Sequence, residues 1–194
     1  MVHIGCGLDA RYDRVAAVGG GLVDWFDLDL PEVLALRREW LGGERQRYHL
    51  LACSVLDEAW RAEVTAAGPP TLFVAEGVLA YLEAAAVRAL VVSLRDQFPG
   101  SELAFDAFSP YTVRASNLRL RLSRSGVQAH YGFSLRRGED LERWAEGIRL
   151  LEQWHPFDRP EPRLAKYQWV RHVPFLARPI GVYHYRLGTT STPA

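Results

Sequence analysis

Four short stretches hold the residues whose types and spacing suit chemistry. In Val2-His3-Ile4-Gly5-Cys6-Gly7-Leu8-Asp9-Ala10-Arg11, two glycines follow a strand-like stub and precede a helix-like segment. Glycine carries no Cβ, so a ligand can approach the main chain there, and the N–H groups at the start of the next helix face it. About 20 residues further on, Asp29 ends a second apolar run, where a carboxylate can accept hydrogen bonds from both hydroxyls of a ribose. Glu76 ends a later run, Phe73-Val74-Ala75-Glu76, and Ser54 follows another. A bare turn plus a carboxylate at this spacing is the chemistry of nucleoside recognition, with Asp29, Ser54 and Glu76 facing one crevice.

The elements that must position these residues alternate. Val2 to Ile4 reads as a short buried strand, Arg11 to Val18 as a helix closed by Gly19-Gly20-Gly21, and Leu22 to Leu28 as a strand. Pro31 suits the first turn of a helix that runs to Leu41, ahead of Gly42-Gly43. The pattern continues with strands over Tyr48 to Val55, Thr71 to Ala75 and Leu103 to Phe108. Between them lie helices from Asp57, a plausible N-cap, to Ala67 and from Glu83 to Phe98. Apolar strands separated by helices predict an α/β fold: a mostly parallel, Rossmann-like sheet of seven strands with helices on both faces. Ile148 to Trp154 and Pro179 to Leu187 read as late strands forming an antiparallel hairpin at one edge, preceded by a helix over Glu139 to Gly147. A variable, irregular insertion is expected at about 109–138, within one domain spanning 1–194. The final stretch, from Gly188 to Ala194, is expected to fray.

Composition narrows the function. The 194 residues are 48% hydrophobic and 24% charged, with zero formal net charge. Such a chain can bury a core and projects no overall field toward nucleic acid or an anionic membrane. Arg114, Arg119, Arg121, Arg124, Arg136 and Arg137 punctuate the insertion without clustering with aromatics in a single-strand platform, and read as a solvated face. No apolar stretch reaches the roughly 18 residues that span a bilayer, and no signal peptide opens the sequence. Cys6 and Cys53 form neither a disulfide framework nor a zinc motif, so a cytoplasmic protein without a metal is expected. His3 reads as a satisfied core or edge histidine, Trp144, Trp154 and Trp169 as core or interface residues, and Asp106 as a crevice residue or the cap of the next turn.

Two enzyme classes use such a turn. Gly5, Gly7 and Ala10 also satisfy the dinucleotide pattern, which keeps an NAD-dependent oxidoreductase open, although no hydride-transfer motif accompanies it. A non-catalytic, truncated nucleoside-binding module is a third reading.

Four segments in order (2–11, the Phe26-Asp27-Leu28-Asp29-Leu30-Pro31-Glu32-Val33 run, Ser54-Val55-Leu56-Asp57-Glu58-Ala59-Trp60, and Ala75-Glu76-Gly77-Val78-Leu79-Ala80-Tyr81-Leu82) resemble the motifs of the leucine carboxyl methyltransferase family. More narrowly they are similar to its bacterial branch, the O-methyltransferases of polyketide biosynthesis. The resemblance covers the N-terminal half and implies a class I fold binding S-adenosyl-L-methionine. It implies cofactor contacts at Gly5, Cys6, Gly7, Asp29, Leu30, Ser54, Val55 and Glu76. Gly5 would approach the methionine portion and Asp29 would hold the ribose. Ser54-Val55 stand where the family places an acidic residue and leucine to read the adenine, a departure. Family members carry a helical lid before the first strand, and this sequence opens at the strand itself. The implied reaction is methylation of a carboxylate or hydroxyl of a small molecule, such as a polyketide-type metabolite. Tyr81, His130 and Tyr131 are candidates for lining the acceptor pocket, and no general base is assigned.

Overall fold

The computed structural model describes residues 1–20, 23–68, 70–122, 129–158, 162–173 and 178–189. Seven strands form one sheet: β1 (Val2–Ile4), β2 (Trp25–Asp29), β3 (Tyr48–Ala52), β4 (Leu72–Ala75), β5 (Ser101–Phe108), β6 (Ile148–Trp154) and β7 (Ile180–Leu187). Their order across the sheet is β3-β2-β1-β4-β5-β7-β6. The first five pair in parallel, whereas β7 runs antiparallel to both β5 and β6. Successive strands step outward from β1 to β3 and then, from β4, in the other direction. The reversal opens a crevice above the carboxyl ends of β1 and β4.

Among the described residues, five α-helices join the strands: α1 (Arg11–Val15), α2 (Pro31–Leu41), α3 (Ala59–Ala66), α4 (Ala84–Gln97) and α5 (Pro110–Leu122). Pro31 at the first turn costs α2 no hydrogen bond, and Gly42, at φ +90°, ends it. Val87, Leu90, Val91 and Leu94 bury one stripe of α4 at the spacing of 3.6 residues per turn. Alternate residues of a strand face opposite sides. On β2, Phe26 and Leu28 therefore join Trp60, Val64 and the α4 stripe in one core cluster, while Trp25 packs with Cys6, Leu34, Tyr48 and Leu50 in another.

Several local expectations are corrected. The first helix is one turn and a half, passing at Ala16 into a π-type turn that opens at Gly19, φ +98°. Leu22 and Gly21 lie outside the described residues, and β2 starts at Trp25. The segment after β5 is not irregular: thirteen residues of it form α5, with Arg114, Arg119 and Arg121 exposed, while Arg124 lies outside the described residues. The expected helix over 139–147 is a 3-10 turn, Gly138–Arg143, and a second, Pro162–His172, had no sequence signal assigned to it. Asp57 does not cap α3; its carboxylate turns back to accept the Ser54 N–H at 3.0 Å. Trp144 packs against the core, but Trp154 and Trp169 are exposed, so a core role for them is withdrawn. Gly188 is buried and donates to the Gly147 carbonyl rather than fraying, and 190–194 lie outside the described residues. Both cysteines are free, Cys6 buried and Cys53 half-buried.

Candidate active site

The glycine turn is held by β2. Gly5, at φ +65°, donates its N–H to the Leu28 carbonyl at 2.7 Å. A Cβ on Gly5 would collide with Val78 Cγ2, so the bare backbone is approached from the turn after β4. Asp29 points at the same turn. One carboxylate oxygen accepts the Gly7 N–H and the other the Leu30 N–H, each at 2.8 Å. A carboxylate has about four acceptor positions, so both oxygens retain capacity toward the crevice.

Beneath the turn lies a charged network that sequence reasoning missed. Asp27 and Arg37 are essentially unexposed. Asp27 accepts from Trp25 Nε1 and Tyr48 Oη, both at 2.7 Å, and pairs with Arg37 at 2.6 Å. Arg37 also donates to the Gly7 and Asp9 carbonyls at 2.9 and 2.8 Å, tying α2 to the glycine turn. Burial alone would push the Asp27 carboxyl up; hydrogen bonds from His3, Trp25 and Tyr48 and the Arg37 charge outweigh it and hold the carboxyl below its ordinary value. His3 is buried, its Nδ1 facing Asp27 at 3.4 Å. Its Nε2 lies 3.1 Å from Arg11 Nη1, which can only donate, so the ring proton sits on Nδ1. Arg11 in turn pairs with Glu76. The signal available was the strand alternation placing Asp27 on the Asp29 face, and an arginine three residues after Leu34 on the buried side of α2.

A cavity of about 320 Å³ is lined by Gly5, Leu28, Asp29, Leu30, Ser54 and Val55, and across from them by Gly77, Val78, Tyr81 and Leu82. Of the expected cofactor contacts, Gly5, Asp29, Leu30, Ser54 and Val55 are thus brought together. Cys6 is not; its side chain sits in the core behind, where burial pushes the thiol up to about 12. The Gly7 N–H is committed to Asp29, and the Glu76 carboxylate is turned to Arg11 outside the lining. The Ser54 N–H goes to Asp57, and its Oγ accepts from the Leu56 N–H at 3.2 Å, which leaves the hydroxyl as a donor. Asp106 reaches backward, not to the next turn, and accepts the Gly77 N–H at 2.6 Å.

On the β4–β5 side, Tyr81 stacks on Tyr131 with ring centres 5.1 Å apart, and Tyr131 meets the Phe108 edge. The Tyr131 contact raises the Tyr81 phenol above its ordinary value. Asn117 of α5 clamps the Tyr131 backbone through both amide atoms, at 2.9 and 3.0 Å. Gly132 lets the chain press against the Leu82 carbonyl, where a Cβ would come within 2.6 Å. His130 is exposed beside this pair. Among the described residues, no group of three or more His, Cys, Asp or Glu could hold a metal, and no helix is long and apolar enough to cross a membrane.

Comparison with known proteins agrees with this geometry. Residues 1–94 match the leucine carboxyl methyltransferase family. The tetracenomycin polyketide synthesis O-methyltransferase TcmP of Streptomyces glaucescens is 32% identical over 160 residues, covering 82% of this chain and 57% of that protein. The chain therefore spans little more than half the length of that relative. Among solved structures, a DUF574 family protein of Streptomyces avermitilis superposes with a TM-score of 0.64 at 16% identity, covering 95% of this chain and 74% of that one. The N-methyltransferase NodS of Bradyrhizobium japonicum, complexed with S-adenosyl-L-homocysteine, does so with 0.55 at 14% identity, covering 96% and 76%. At these identities the structures speak for the fold. Residues 1–94, which carry the glycine turn and the β2 carboxylate, are thus similar to the leucine carboxyl methyltransferase family, and most of the chain is similar to part of TcmP.

Proposed function

We propose that the protein is an S-adenosylmethionine-dependent O-methyltransferase acting on a carboxylate or hydroxyl group of a small molecule. The observation that carries this reading is the Asp29 carboxylate, held against the glycine turn and lining a crevice at the reversal of strand order.

The residues present fit the cofactor. Asp29 has acceptor capacity left for ribose hydroxyls. Leu28, Leu30 and Val55 offer an apolar wall to an adenine, and the Ser54 hydroxyl keeps a donor beside it. Gly77 has open space where a Cβ would stand. When bound, the cofactor supplies an electrophilic methyl group on a sulfonium. The chain's own work is to fix the cofactor and bring the acceptor oxygen in line while keeping water out. Tyr81 and Tyr131 form a stacked aromatic wall suited to holding a flat acceptor. A carboxylate acceptor, with a pKa near 4, is already ionised at neutral pH and needs no base. A phenol near 10 would gain from one.

Calorimetric titration with S-adenosylhomocysteine and with NAD, followed by transfer of labelled methyl to a panel of carboxylic acids and phenols, tests the reading. We expect binding of the adenosylhomocysteine alone and labelling of at least one acceptor class. Tight NAD binding without adenosylhomocysteine binding would overturn it.

A further inference from the structure

At the same carboxyl edge of the sheet, beyond β5, a second cavity of about 380 Å³ opens between the 3-10 turn Gly138–Arg143, the end of β6 and the start of β7. Four arginines line it, Arg136, Arg137, Arg143 and Arg178, with two acidic residues, Glu139 and Asp140. Among the described residues, the side chains of Arg136 and Arg137 make no ion pair. Arg143 stands 3.5 Å from Asp140 and Arg178 3.8 Å from Asp158, both longer than a direct N–H···O bond. The cavity thus carries an excess of positive charge whose donors are not consumed internally.

Its floor is built from buried polar groups. His155 is 4% exposed and Tyr183 3%. The His155 Nδ1 lies 3.1 Å from the Ile180 carbonyl, which can only accept, so the proton sits there. The Tyr183 hydroxyl makes no hydrogen bond among the described residues although it lines the cavity. Burial pushes that phenol up to about 12 despite the Arg178 charge, so it remains a proton donor at neutral pH. A Cβ on Gly181 would fall within 2.7 Å of both His155 Cε1 and the Tyr183 hydroxyl; the glycine leaves clear the space the two share.

We propose that this cavity is an oxyanion subsite, taking a carboxylate or phosphate group carried by the methyl acceptor at a point remote from the methylated atom. Pairs of oxygens on a carboxylate or a phosphate match the guanidinium fork, and a neutral hydroxyl donor at the floor completes their coordination. Continuity with the crevice comes from one segment. Tyr131 faces Tyr81 at the crevice, Phe133 is buried against Phe105, Leu135 donates to the Phe108 carbonyl, and Arg136 and Arg137 emerge at the cavity. Five residues span at most about 18 Å when extended, so the main chain at Arg136 lies no farther than that from the main chain at Tyr131. The identity of the ligand as an acceptor rests on the methyltransferase reading.

The test is calorimetry at low salt with pyrophosphate and with citrate, on the unmodified chain and on the R136Q/R137Q double variant, with S-adenosylhomocysteine titrated in parallel. We expect at least one oxyanion to bind, the stronger of the two identifying phosphate or carboxylate as the preferred group. The double variant should lose roughly tenfold or more of that affinity while adenosylhomocysteine affinity is unchanged. Absence of oxyanion binding, or equal binding by the variant, in protein that still takes up adenosylhomocysteine overturns the subsite. Oxyanion binding without adenosylhomocysteine binding would instead strike the methyltransferase reading, and with it the acceptor as ligand.

Discussion

Asp29 serves two partners at once: it ties Gly7 and Leu30 through their N–H groups and still faces the crevice. Its place was legible from spacing alone, because a carboxylate about 20 residues after a glycine turn must arrive at the end of the neighbouring parallel strand. Ser54 was less legible, since nothing in its spacing shows that Asp57 would take its N–H rather than cap α3. Gly5 gives a test at this scale. Its φ of +65° and the Val78 methyl leave no room for a side chain, so Gly5→Ala combines backbone strain with a clash. We expect a loss of about 2–4 kcal/mol in chemical denaturation, part of it restored by a second change, Val78→Ala. A double variant no more stable than Gly5→Ala alone would show that Val78 is not what confines the turn.

At the scale of elements, α2 reaches the site through one side chain. Arg37 joins Asp27, Tyr48 and the carbonyls of Gly7 and Asp9. Helical periodicity locates the buried Leu34 face, yet an arginine on it reads as solvated, because burial of a charge follows from its partners and those lie on other elements. Arg37→Met leaves Asp27 buried without its cation, and we expect a cost of about 3–5 kcal/mol, partly recovered in Arg37→Met/Asp27→Asn. The pH dependence has a definite sign. The folded Asp27 carboxyl is held below its unfolded value of about 3.9, so its contribution is complete at neutral pH and is lost as pH falls below about 4 toward the folded value. Denaturation of the unmodified chain between pH 7 and 3 should show this loss, and Asp27→Asn should be weaker at pH 7 with a flatter acid limb. Parallel curves for the two would contradict the assignment.

For the molecule as a whole, the alternation of apolar strands and helices was enough to read the parallel sheet, and Ile148 to Trp154 together with Pro179 to Leu187 were enough to read its antiparallel edge. What escaped was structure fixed by contact rather than pattern. The α5 helix is rich in arginine and buries only Val113, and the 3-10 turn Gly138–Arg143 is set by the Tyr185 hydroxyl donating to the Gly138 carbonyl. The same sheet places the glycine turn and Asp29 where a bound nucleoside would brace the folded state. Thermal unfolding of the unmodified chain and of Asp29→Ala, each with S-adenosylhomocysteine and with NAD, measures this directly. At about 100 times the dissociation constant, adenosylhomocysteine should stabilise the unmodified chain by about 2.7 kcal/mol, raising Tm by roughly 5–10 °C. At the same concentration Asp29→Ala should lose most of that rise, and NAD should give none. An undiminished rise in Asp29→Ala, or a rise with NAD alone, would contradict the nucleoside site on which the functional reading stands.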